Sequence, residues 1–120
     1  MIKETIVLAA LAISSPAVVD GDTVRIAGVL IRLTDYDSPE LFSPKCARER
    51  MWAEAAKLEL ERVIGQVKLE LVPCATSNWG RLCGEGTIDG KPLAEYMISR
   101  NLATPYVCRP GRCPLKKNWC

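Results

Sequence analysis

Val18-Val19-Asp20-Gly21-Asp22-Thr23-Val24 is the stretch from which the rest of the chain can be read. β-formers on both sides of an Asp-Gly pair write a tight turn between two extended segments. Ala17 to Ile26 is therefore expected to be two strands with Asp20-Gly21 at the turn. Val29 to Leu33 continues as a third strand, and Ser38-Pro39-Glu40 forms a loop, because proline breaks both helix and sheet ladders. Ala47 to Ile64 is built of strong helix formers, with Met51, Ala55, Leu58 and Val63 recurring near helical spacing and Gly65 as its cap. Val67 to Val72 and Gly80 to Ile88 return as strands, Asp89-Gly90 is a second tight turn, and Pro92 opens a short helix over Leu93 to Ser99. Asn101 suits a left-handed helix stop. Strands, helix, strands, helix is an α+β order. A helix set between the third and fourth strands of a small sheet predicts a five-stranded OB-type β-barrel with two to three helices.

The same turn carries two carboxylates, and more follow. Asp37 and Glu40 frame the next loop, Arg32 lies between the two acidic clusters, and Arg81 comes much later in Trp79-Gly80-Arg81. Clustered carboxylates suit a hard divalent cation. Arginines grip phosphate oxygens in a bidentate way. The chain has no histidine, which excludes Ser-His-Asp hydrolysis, Cys-His proteolysis and histidine-metal chemistry. The net charge of +2 neither demands nor excludes a polyanion partner. Arg109, Arg112, Lys116 and Lys117 crowd the last stretch and read as a solvated tail.

Joined in this order, the pieces resemble the staphylococcal nuclease (thermonuclease) family from about Val18 to Tyr106. The matching segments are 18–24, Ile31-Arg32-Leu33, Asp37-Ser38-Pro39-Glu40, Trp79-Gly80-Arg81, Asp89-Gly90 and Asn101-Leu102-Ala103-Thr104-Pro105-Tyr106. The resemblance implies an OB-fold and a calcium-dependent nuclease acting on DNA and RNA, leaving 3′-phosphate ends. It implies Asp22 and Asp37 as carboxylate ligands of Ca²⁺, with Ser38 offering its backbone carbonyl. Glu40 would hold or activate the attacking water, and Arg32 and Arg81 would bind the scissile phosphate. Trp79, where the family commonly has tyrosine, and Tyr106 are expected to stack on substrate. Two other classes remain open on the sequence: a non-catalytic OB-fold nucleic-acid-binding module, and a disulfide-stabilised secreted structural or inhibitor protein.

Six cysteines without a C-x-x-C pair point to disulfides rather than zinc. Cys108 and Cys113 enclose a tight Arg-Pro-Gly-Arg loop, and Cys74 and Cys83 flank a turn between two strands, which leaves Cys46 for Cys120. Residues 1–12 read as a signal peptide or an N-terminal extension, with Ala10-Leu11-Ala12 fitting the small-residue cleavage pattern. Residues 13–120 read as one domain. A secreted or periplasmic, monomeric protein is expected, with no segment long enough to cross a membrane.

Overall fold

The computed structural model describes residues 15–76 and 80–120. The expected leader at 1–12 lies outside these residues, as does Trp79. The fold is α+β: a mixed sheet of several strands with two α-helices.

β1 (Ala17–Asp20), β2 (Thr23–Ile26) and β3 (Val29–Leu33) form an antiparallel meander. The β2–β3 turn is Ala27-Gly28, both with positive φ (49° and 79°), the backbone that a two-residue hairpin turn demands. The β1–β2 turn is different. It falls on Gly21-Asp22, one residue later than expected, and neither residue has positive φ. Gly21 is required there for space. A Cβ on it would stand 2.7 Å from the Ser38 Cβ and 2.8 Å from the Ala56 Cβ.

β4 (Asp35–Asp37) leaves the sheet at Asp35, which has φ 77°. It pairs antiparallel with β8 (Thr104–Tyr106) as a separate two-stranded ladder. After α1 (Ala47–Val63), β5 (Lys68–Val72) pairs antiparallel with β6 (Leu82–Ile88), and β6 joins β3 in parallel through Ile31↔Leu82 and Arg32↔Cys83. β7 (Lys91–Pro92) folds back on β6 across Asp89-Gly90, whose φ values of 51° and 75° confirm the second tight turn. The path is β1-β2-β3-β6-β5, and no barrel closure appears among the described pairings.

α1 corrects one expectation. Met51 and Leu58 are about two-thirds exposed, and the buried face is Glu49, Ala53, Ala56, Leu60 and Val63. Ala56 fits against the Gly21 turn, and Leu60 and Val63 on the same face join the core, which leaves Met51 and Leu58 on the outer face. Glu49 is buried because its carboxylate accepts from the Glu40 and Lys45 backbone amides at 3.2 and 2.7 Å, tying down the acidic loop. Gly65 is not a left-handed cap either: α1 runs on through Ile64 into a 3-10 turn, Ile64–Gln66. α2 (Leu93–Ser99) ends as expected, with Asn101 at φ 61° and the Leu102 amide donating to the Met97 carbonyl. Val24, Ile31, Leu33, Tyr36, Leu60, Leu93 and Met97 form the core between sheet and helices.

All three expected disulfides are present: Cys46–Cys120, Cys74–Cys83 and Cys108–Cys113. Cys46 is also the N-cap of α1, its Sγ accepting from the Glu49 amide. Among the described residues no helix is long and apolar enough to cross a membrane.

Candidate phosphodiester-cleaving site

The β1–β2 turn presents Asp22, and β4 ends on Asp37. Both carboxylates converge on Arg32, which projects from the middle of β3. Arg32 Nη1 lies 3.3 Å from Asp22 Oδ2, and Nη2 lies 3.4 Å from Asp37 Oδ1. Nη1 also donates to the Leu33 carbonyl at 2.7 Å and the Tyr36 carbonyl at 3.2 Å. The guanidinium is therefore fixed by backbone and acids together. Tyr36, fully buried, locks the turn from beneath by donating to the Gly21 carbonyl at 2.7 Å. Asp22 Oδ2 accepts from the Ser38 amide at 3.0 Å, which brings the second acidic segment onto the first.

Burial makes this an electrostatically costly place. Asp22 and Asp37 are 7% and 2% exposed. Desolvation, then the neighbouring Asp22 charge, pushes Asp37 up to about 6, against the lowering pull of Lys116 and Arg32. The same causes in the same order push Asp20 up to about 7, and Asp20 Oδ1 accepts from the Asp22 amide at 3.0 Å. Four carboxylates, counting Glu40, thus face two cations, Arg32 and Lys116.

These donors fit a hard divalent cation. They are all oxygens, two of them nearly dry carboxylates, with unrelieved negative charge. Ser38 Oγ is buried without a hydrogen-bond partner, an orphan polar atom packed against Gly21. Among the described residues no three His, Cys, Asp or Glu side chains gather as a metal-holding group. The fit therefore rests on Asp22 and Asp37, with Ser38 beside them.

A cavity of about 520 Å³ is lined by Arg32, Arg81, Tyr106 and Lys116 among others. Arg81 enters just before β6, so the parallel β3–β6 pairing puts both arginines on one cleft. Glu40 is about half exposed, its Oε1 accepting from Lys116 Nζ at 3.3 Å. Of the expected site residues, Arg32, Arg81 and Tyr106 line the cavity, while Asp22 and Asp37 reach it only through Arg32 and Lys116, and Glu40 through Lys116.

Lys116 is the residue that sequence reasoning missed. The tail is not simply solvated: Trp119 is buried against Trp52, with ring centroids 6.5 Å apart, and Lys116 reaches Asp37 and Glu40. A signal was available. Pairing Cys46 with Cys120 returns the tail to within a few residues of Glu40. No protein-family model matches the chain, and no curated protein matches it at a significant level.

Proposed function

We propose that the chain is an OB-type, calcium-dependent nuclease that hydrolyses phosphodiester bonds of DNA and RNA. The observation that carries this reading is Arg32. It is held by Asp22 and Asp37 and faces the same cleft as Arg81. Five strands in the path β1-β2-β3-β6-β5, with a helix after the third, support a partly open barrel of the OB type.

Calcium at Asp22, Asp37 and the Ser38 carbonyl would withdraw charge from the phosphate and orient the water. Glu40, about half exposed beside Lys116, positions that water. Arg32 and Arg81 donate to phosphate oxygens as charge builds on them, and Arg32 turns part of its guanidinium away from Asp22 and Asp37 to do so, while the Leu33 and Tyr36 carbonyls keep it anchored. The water oxygen bonds to phosphorus and gives up a proton to solvent, the bond to the 5′ oxygen breaks, and that oxygen takes its proton from solvent. Guanidinium scarcely deprotonates, so neither arginine supplies it. The products carry 3′-phosphate ends. Three disulfides support an oxidising compartment, secreted or periplasmic.

Incubation of the purified protein with single- and double-stranded DNA and RNA, in calcium or in chelator, tests the reading. Calcium-dependent cleavage is expected, and its absence for all substrates overturns it. A second reading, a binding module without turnover, is favoured by Lys116 lying across Asp37 and Glu40. Retention of oligonucleotide in calcium with no cleavage would establish that one.

A further inference from the structure

Lys116 stands outside the segment that carries the family resemblance, yet it lines the same cleft as Arg32, Arg81 and Tyr106. Its position is not that of a lysine on a loose tail. On one side the chain is knotted by Cys108–Cys113, and the Gly111 amide inside that loop donates to the Ala75 carbonyl at 3.1 Å. On the other side Cys120 is bonded to the N-cap of α1, and Trp119 is buried beside Trp52. The segment between Cys113 and Cys120 is thus tied at both ends. Its exposed middle, where Leu115 is 98% exposed, holds an ammonium over the acids and 5.8 Å from the Tyr106 ring. Most of the entropy a lysine loses on ordering is lost here at folding rather than on binding.

The two cations that touch the acids differ in what they have left to give. Arg32 directs its donors at Asp22, Asp37 and the carbonyls of Leu33 and Tyr36. Lys116 has three donors. It makes a hydrogen bond to Glu40 and a long 3.6 Å ion pair to Asp37, and its side chain is half exposed to the cleft. A phosphate oxygen in the cleft could come within the ~2.8 Å of a charge-assisted hydrogen bond, which the 3.6 Å contact to Asp37 does not reach.

We infer that Lys116 is a substrate-binding residue of this site, a tethered cation that takes a backbone phosphate of a single-stranded nucleic acid, and that the Cys46–Cys120 bond holds it there. The inference rests on the nucleic-acid reading above. A phosphate contact of this kind carries no base preference.

The test is fluorescence anisotropy of end-labelled single-stranded oligonucleotides of several sequences, in chelator so that none is cut. Lys116→Ala is expected to weaken binding several-fold, equally for every sequence. It is also expected to shrink the slope of log affinity against log salt by about 0.7, the share of one phosphate contact on a single strand. Lys116→Arg is expected to restore both, and Cys46→Ser/Cys120→Ser to match Lys116→Ala. Wild-type affinity and slope in Lys116→Ala overturn the inference while leaving the functional reading intact. A wild-type protein that binds no oligonucleotide overturns both.

Discussion

The carboxylates of the cleft and a single surface carboxylate, Glu59, are pushed in opposite directions. At the cleft, burial and the Asp22 charge raise Asp37 to about 6 and Asp20 to about 7. On the far surface, Glu59 is lowered to about 2, chiefly by hydrogen bonds from Arg62, which together with the one from Tyr96 overcome desolvation. Arg62 Nη2 lies 2.7 Å from Glu59 and 2.9 Å from the Tyr96 hydroxyl, so the surface acid has its donors supplied. The cleft acids are crowded together and undersupplied. A fold that needed only stability would resemble the surface cluster. Acids kept together at a cost are expected where a ligand relieves the cost.

The comparison breaks most visibly in catalysis. Glu40→Gln is expected to lower calcium-dependent cleavage by roughly two to four orders of magnitude, whereas Glu59→Gln leaves it unchanged; initial rates on single-stranded DNA decide this. The next largest effect is on stability. Arg32→Met strands Asp22 and Asp37 without their shared cation and is expected to cost about 3–5 kcal/mol in urea unfolding. Arg62→Met removes an exposed partner and leaves the unfolding curve close to wild type.

Calcium sharpens the contrast. At one hundred times its dissociation constant it is expected to stabilise the fold by about 2.7 kcal/mol. Asp22→Asn is expected to lose most of that gain and Glu59→Gln none of it, as thermal melts with and without chelator would show.

The smallest effects are in pH. Asp20 and Asp37 have folded pKa values of about 7 and about 6, above the unfolded value of about 3.9. Their contribution is therefore complete below about pH 4 and is lost as pH rises through 6 to 7. Glu59 has the opposite sign. Its contribution is present above about pH 4.3 and is lost as pH falls toward 2. Melts in chelator are expected to peak between these limbs. Asp20→Asn should flatten the neutral limb alone, and Glu59→Gln the acid limb alone.

Much of this arrangement was legible in the sequence, for local reasons. Turn chemistry marked Asp89-Gly90 and Asn101, and the order of Asp22, Arg32, Asp37, Glu40 and Arg81 marked the residues that the fold gathers. Two features were not written in local signals, because each depends on a partner distant in sequence. The close approach of Ala56 to Gly21 fixes which side of α1 faces the sheet, with Leu60 and Val63 buried on it and Met51 and Leu58 outside. The role of Lys116 follows from a bond spanning 74 residues. Hydropathy and local charge carry neither signal.

That long bond also sets an order in time. Chains are made, and begin folding, from the N-terminal side. The acids of β1 to β4 exist first, and Arg81 reaches them only when β6 pairs in parallel with β3. Lys116 is carried by a segment whose far end is bonded at Cys120 to Cys46. Reduction of that bond would untie the segment from the N-cap of α1. A newly made chain in a reducing medium would hold its acidic cluster with one of its two counter-ions untethered.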